Sequence, residues 1–253
     1  NRIPLAMRCL LLRGHGRTIL VDTGVGHTND ERFADIYGID HDHATLTGSL
    51  DALGVTPSEV TDVLLTHLHF DHGGGVTRRS ESGDLTLTFP EAAHWVSRSH
   101  WDWTRESPRE QASFLDENLA PLADSRQLAL HDGQSPFPNI TFEMVDGHTR
   151  GQVLPRITDG HRSLWFAADL IPTAAHVPLL WIMAYDVDPL DTLREKADLL
   201  KRAVDEEWLV LFEHDPVNAC AFVVETDRGF AVRDERPDLP TTWPVHPEPG
   251  DTL

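Results

Sequence analysis

Leu64-Leu65-Thr66-His67-Leu68-His69-Phe70-Asp71-His72-Gly73-Gly74-Gly75 ends an apolar run in four metal-capable side chains within a few positions. His67 and His69 are two apart, so on a continuing strand they project from one face, while Asp71 and His72 fall where the backbone must turn. The three glycines that follow allow main chain to approach closely. The stretch reads as the floor of a metal site at the end of a strand.

Working outward, the same placement recurs. Upstream, Leu5–Leu12 and Arg17–Val21 read as a hairpin around Gly14-His15-Gly16, and the second strand runs into Asp22-Thr23-Gly24. A polar, glycine-containing exit from a buried strand is where a rigid sheet presents functional groups. Asn29–Tyr37 is expected as a short helix and Thr47–Leu53 as another, stopped by Gly54. Thr56-Pro57-Ser58-Glu59 supplies an N-cap, a proline and the reciprocating glutamate of a capping box before a strand at Asp62–Thr66. His41-Asp42-His43 has no apolar strand to present it and reads as a solvated loop.

Downstream, Asp84–Phe89 and Ala93–Val96 are expected strands. The stretch from Ser97 to Pro121 is expected to be helical, with Ser107-Pro108-Arg109-Glu110 repeating the capping-box pattern. Its tryptophans Trp101 and Trp103 pack a core or wall an apolar substrate pocket, and Trp181 and His176 are further candidates for that wall. Strands follow at Gln127–Leu130, Ile140–Val145, Val153–Ile157, Ser163–Ala167 and Trp208–Phe212, with an amphipathic helix opened by Asp188-Pro189 and reaching about Glu206. Phe222–Thr226 and Phe230–Val232 form an expected closing hairpin. Three of these strand ends deliver Asp146-Gly147-His148, Asp169 and Glu213-His214.

His67, His69, Asp71, His72, His148, Asp169 and His214 are therefore ligand-type residues that all follow apolar runs. That recurrence carries more weight than any one of them. His15, His94, His100, His131 and His161 receive the plain reading of loop or surface histidines. A donor set of nitrogen and carboxylate without thiolate suits zinc, with manganese, cobalt or iron as alternatives.

Composition bounds the function. In 253 residues, 41 acidic groups against 21 basic give a formal charge of −20, which repels nucleic-acid phosphates and anionic lipid alike. Cys9 and Cys220 lie far apart and make no CxxC pattern. No apolar run is long enough for a membrane span, and no signal-peptide layout is present. The expected location is cytoplasmic, with allowance for a leader removed or left out because the chain starts at Asn1. The expected partner is a small molecule with an apolar portion, with no nucleic acid and no membrane; a homodimer is compatible. Residues 1–234 are expected to form one domain and the proline-rich 235–253 an extended tail.

The run Thr66 to Gly74 closely resembles the Thr-His-x-His-x-Asp-His-x-Gly-Gly motif of the metallo-β-lactamase-fold hydrolase superfamily. Asp22-Thr23-Gly24, Gly147-His148-Thr149, Asp169 and His214 resemble its other motifs, so the likeness covers most of the chain. It implies an α+β, four-layer αββα sandwich of two similar halves with the metal site at one edge of the sheets. It further implies that His67, His69 and His148 hold one metal, that Asp71, His72 and His214 hold a second, that Asp169 bridges them, and that Asp22 supports a ligand from behind. Two zinc ions sharing a hydroxide would then cleave an ester, lactone or phosphotriester, with Asp71 or Asp169 moving the proton.

Departures narrow the choice. His69 stands where flavodiiron-type members carry glutamate, and Asp169 stands where antibiotic-hydrolysing branches generally lack a bridging aspartate. Many lactonases of the family have a tyrosine at the place of Pro172, whereas residues 168–176 are similar to the corresponding segment of methyl-parathion-hydrolase-like members. Arg150 replaces a common proline. The alternatives within the resemblance are an iron persulfide dioxygenase and a thioester hydrolase of the glyoxalase II kind.

Overall fold

The structure is a computed structural model that describes residues 2–239. The chain begins its regular structure with the hairpin of β1 (Leu10–Gly14) and β2 (Arg17–Val21), paired from Leu10 opposite Val21 to Gly14 opposite Arg17. The turn works because His15 and Gly16 both adopt positive φ, at 51° and 72°, as a two-residue hairpin turn requires. The first strand starts later than Leu5. Residues 6 and 8 instead give their N–H groups to His214 O and Glu213 O, at 3.0 and 3.2 Å, so this stretch leaves the hairpin and runs along the last strand exit.

Next come α1 (Glu31–Tyr37), α2 (Leu46–Ala52), β3 (Asp62–Leu64) and the single turn α3 (Phe70–Gly73). Asp30 and Thr45 cap the first two helices through their side-chain oxygens. Ahead of β3, Glu59 accepts from the N–H and the hydroxyl of Thr56, both at 2.7 Å, in a short 3-10 turn. A small ribbon of β4 (Thr77–Arg79) and β5 (Leu85–Leu87) precedes β6 (Ala93–Ser97).

The stretch from Ser97 to Pro121, expected to be helical, holds α4 (Arg98–Glu106) and α5 (Asp116–Asp124) with a non-helical run between them. Pro108 is the reason. The residue before a proline is pushed out of the helical region, and Ser107 sits at φ −63°, ψ 119°.

β7 (Leu128–His131), β8 (Ile140–Val145), β9 (Gln152–Thr158) and β10 (Ser163–Phe166) follow, then α6 (Pro189–Asp205), β11 (Leu209–Leu211), β12 (Cys220–Thr226) and β13 (Gly229–Arg236). β13 runs past residue 234, where the tail was expected to start; residues 240–253 of that tail lie outside the described residues.

Two sheets carry the fold. One has the order β1-β2-β3-β6-β7, parallel except for the first hairpin; the other has the order β13-β12-β11-β10-β9-β8, antiparallel except for β10 against β11. The strand period of two then sorts side chains between layers. Ile19, Val21 and Leu64 join Leu154, Leu164 and Phe166 in the core between the sheets. Leu20, Val63 and Leu65 point the other way and pack beneath Leu50 of α2, Trp101 of α4 and Leu122 of α5. On the far side, α6 covers the second sheet with Leu199, Leu200 and Ala203. The result is the expected αββα sandwich, in which β2, β3, β8, β10 and β11 end at one common edge.

Candidate metal centre

At that edge the seven side chains converge from the ends of several strands. His67, His69, His148 and Asp169 offer ligand atoms that all lie within 4.8 Å of one another, as do Asp71, His72 and His214. His67 Nε2 is 3.0 Å from His69 Nδ1, which is 3.2 Å from His148 Nε2. His214 Nε2 is 3.2 Å from His72 Nε2. Asp169 lies between the groups: its Oδ2 is 3.1 Å from His148 Nε2, and its Oδ1 is 2.9 Å from His214 Nε2. Asp71 is the outermost member, 3.8 Å from His72 Nε2 and 3.9 Å from His214 Nε2.

Ring nitrogens that face one another at such distances repel unless a cation lies among them. The far side of each ring shows that the inward nitrogens are free to bind one. His69 Nε2 meets Glu110 Oε1 at 2.9 Å, and His148 Nδ1 meets Asp186 Oδ1 at 3.0 Å. His72 Nδ1 lies 3.1 Å from Asp22 Oδ2 and 3.2 Å from Glu213 Oε2. His214 Nδ1 meets the main-chain oxygen of Ala6 at 2.8 Å, and His67 Nδ1 meets Thr66 Oγ1 at 3.0 Å. Every imidazole thus gives its outward N–H to an oxygen, which leaves the inward lone pair for a metal. Asp169 Oδ1 is buried and forms no aligned hydrogen bond, even with His214 Nε2 at 2.9 Å, a second sign that the cluster is built around a cation. With nitrogen and carboxylate donors and no thiolate, this cluster is able to bind metal.

Without a metal, protons compete for some of these inward nitrogens. Burial lowers His67 well below the usual histidine range, helped by the neighbouring His72 and His69, and burial also lowers His69. Burial opposes the charged form of His148 and His214 too, but Asp169, joined by Asp186 at His148 and by Glu213 at His214, outweighs it and raises each to about 9. Asp169 itself, despite burial, is held well below the usual carboxylate range by His72, His214 and His148. Burial, with Asp22 beside it, pushes Glu213 up to about 8 against the pull of His72.

A profile of the metallo-beta-lactamase superfamily matches residues 4–214. The chain belongs to that superfamily. Proteins named probable metallo-hydrolases from Mycobacterium bovis and Mycobacterium tuberculosis are each 24% identical over 252 residues, covering 85% of this chain and 77% of theirs. A solved structure of a probable metal-dependent hydrolase from Staphylococcus aureus matches at 25% identity with a TM-score of 0.77, covering 91% of this chain and 83% of that one. AidC, a dizinc quorum-quenching lactonase, shares the fold at 24% identity and a TM-score of 0.74, covering 90% and 79%.

The superfamily motifs owe their residue types to contacts visible here. Asp22 leaves β2 at φ 56°, an uncommon backbone state that turns its carboxylate onto Thr66 N–H at 2.7 Å and Thr66 Oγ1 at 2.6 Å as well as onto His72. Thr23 bonds His72 O through both its N–H, at 2.7 Å, and its hydroxyl, at 2.8 Å. The triple glycine faces that same loop. A Cβ on Gly75 would lie 2.2 Å from Thr23 O, so only glycine lets the two loops touch. Ala168, immediately before Asp169, is likewise held at φ 39°.

Several supporting residues are not evident from the sequence. Glu110 gives its N–H to Ser107 Oγ at 3.3 Å as a capping box requires, but its carboxylate accepts from the Ser107 hydroxyl, at 2.8 Å, and not from the Ser107 N–H, and no helix follows; the carboxylate also serves His69 and the Trp103 indole N–H, at 2.6 Å. His100, expected to be an ordinary histidine, is fully buried. It accepts from Leu68 N–H at 2.8 Å and donates to Arg150 O at 2.7 Å, bracing the two histidine-bearing loops against each other. Asp186 sits just ahead of a helix-start signal that masks it, and Glu213 stands beside His214 with no motif of its own. Of the expected pocket residues, Trp101 lies in the core of the first half and Trp103 lies beneath the Arg150 guanidinium, 4.6 Å from it. Trp181 is exposed, and His176 is partly buried with Nδ1 2.7 Å from Thr173 Oγ1. Among the described residues no helix is long and apolar enough to cross a membrane.

Proposed function

We propose that the protein is a dinuclear zinc hydrolase acting on an ester, lactone or phosphotriester with an apolar portion. The observation that supports this most directly is the pair of donor groups, His67/His69/His148 and Asp71/His72/His214, with Asp169 between them, its Oδ2 near His148 and His72 and its Oδ1 near His214. When bound, a metal pair supplies Lewis-acid polarisation of a carbonyl or phosphoryl oxygen and a water acidified for attack at neutral pH.

The chain's own residues do the rest. Glu110, Asp186, Asp22, Thr66 and the Ala6 carbonyl hold the five imidazoles in one tautomer and one orientation. The Asp71 side chain is 25% exposed, against 5% for Asp169, so Asp71 is the carboxylate with room to carry a proton to the leaving group. An apolar portion of the substrate would rest on residues 172–187, which carry exposed Leu180, Trp181 and Tyr185; of these, Tyr185 packs edge-on to the cluster residue His148 with ring centres 6.0 Å apart. The acidic surface favours a neutral substrate over a polyanion.

The test is a hydrolysis screen over N-acyl homoserine lactones, aryl esters and aryl phosphotriesters, with metal content measured on the same sample. Expected are two zinc ions per chain, turnover of at least one of these classes, and loss of that turnover after chelation. Equal rates for metal-free and metal-loaded protein would overturn the proposal, as would one iron per chain with oxygen uptake on thiol persulfides.

A further inference from the structure

Residues 172–187 are tied to the metal cluster near both ends. At one end Pro172 O accepts from the His214 N–H at 2.9 Å, and near the other Asp186 accepts from His148 Nδ1. Between these ties the segment has one short 3-10 turn, Ala174–His176, and belongs to neither sheet. Its middle is gathered around a single side chain from α6. Lys196 Nζ lies 2.7 Å from His176 O, 3.1 Å from Pro178 O, 3.2 Å from Leu179 O and 2.7 Å from Trp181 O. The residue is 0% exposed.

A buried ammonium is costly unless its surroundings replace water. Here the replacement is a cage of main-chain carbonyls. An ammonium has three N–H donors, and four oxygens surround this one, so the cage answers to the charge and not only to a fixed set of bonds. Rings of carbonyl oxygens hold potassium in the same way, and ammonium is nearly the same size as potassium. Burial draws Lys196 down to about 8, with Asp186 acting in the opposite sense, so the ammonium is still protonated at neutral pH.

We propose that Lys196 is a positioning residue whose ammonium acts as a tethered monovalent cation, folding residues 176–181 around itself and so setting the apolar wall beside the metal centre. Its neighbours on α6 do related work. Thr192 Oγ1 donates to Asp186 Oδ2 at 3.0 Å, and Glu195 accepts from the N–H groups of Asp146 and Gly147 at 2.7 and 3.0 Å. One turn of α6 therefore holds the His148 loop, the carboxylate that orients His148, and the wall segment. The consequence for substrate rests on the hydrolase reading; the cation cage does not.

Amide hydrogen exchange on metal-loaded Lys196→Ala, read by mass spectrometry, separates the two. In tetramethylammonium chloride, whose cation is too large for the cage, peptides from 172–187 should exchange about tenfold faster than in the wild type, with β2, β3 and β11 unchanged. Potassium or ammonium chloride at the same ionic strength should return most of the protection. Unchanged protection of the segment, a uniform rise across the chain, or a loss that neither cation repairs would each overturn the proposal. If the alanine variant does not fold, Lys196→Met fills the cage without a charge: the segment should open and respond to neither cation, and wild-type protection there would refute the idea. On any substrate that the screen identifies, Lys196→Ala should raise KM with kcat nearly unchanged. A failed screen leaves the exchange result standing.

Discussion

Asp186 offers the sharpest quantitative test of how the metal centre is supported. It is 1% exposed, with Oδ1 3.0 Å from His148 Nδ1 and Oδ2 receiving the Thr192 hydroxyl at 3.0 Å. Asp186→Ala removes both bonds and leaves the His148 N–H buried without an acceptor, at a cost of about 1–3 kcal/mol. Loss of such a partner behind a ligating imidazole typically weakens metal binding by about 10–100-fold, which corresponds to about 1.4–2.8 kcal/mol. Asp186→Asn is gentler. Its amide oxygen still accepts from His148, and its NH2 can donate to Thr192 Oγ1, whose proton turns to Asp188 O at 3.2 Å. Only the charge is lost, so this variant belongs at about the tenfold end of the range. On the proposed two-metal reading, competition titration against a chromophoric zinc chelator should resolve two binding steps. One step should weaken in the order wild type, Asn, Ala, while the step owned by His72 and His214, whose partners are Asp22, Glu213 and the Ala6 carbonyl, stays near the wild-type value. Unchanged affinities in the alanine variant, or equal losses at both steps, would refute the reasoning.

Metal binding to chelator-stripped protein at pH 7 should release protons, because His148 and His214 are raised to about 9 and a ligating imidazole must be neutral; the release should fade as pH rises through about 9, as calorimetry in buffers of different ionisation enthalpy will show. Gly75→Ala sets a Cβ 2.2 Å from Thr23 O and should cost about 1–3 kcal/mol by overpacking, seen as a lower Tm in scanning calorimetry. Asp169→Ala should abolish hydrolysis while leaving far-UV circular dichroism unchanged, since the side chain serves the cluster and not the core.

The convergence of seven side chains is legible in the amino-acid sequence because each follows a strand whose apolar run is visible there, and all the strands concerned end at one edge. The layered fold is legible for the same reason: in β2, Ile19 and Val21 face one core and Leu20 the other. What stays hidden depends on partners remote in the chain. Glu110 has the sequence context of a helix cap, and only the fold brings His69 to it across 41 positions. Lys196 looks like a solvent-facing residue of an amphipathic helix, because main-chain carbonyls leave no mark in side-chain pattern. The stretch from Leu5 has strand-like residues but finds its partners at 213 and 214, not in the hairpin that its position suggests. Tryptophan placement is the least readable, since Trp101 and Trp181 differ only in which surface tertiary packing assigns them.

Whether two metals held by these residues act together in hydrolysis is decided by returning zinc stepwise to chelator-stripped protein while following the rate on a substrate found in the screen. The rate should stay near background through the first equivalent, rise with the second and then level off. Full activity at one equivalent, or activity independent of added metal, would contradict joint action by two metals.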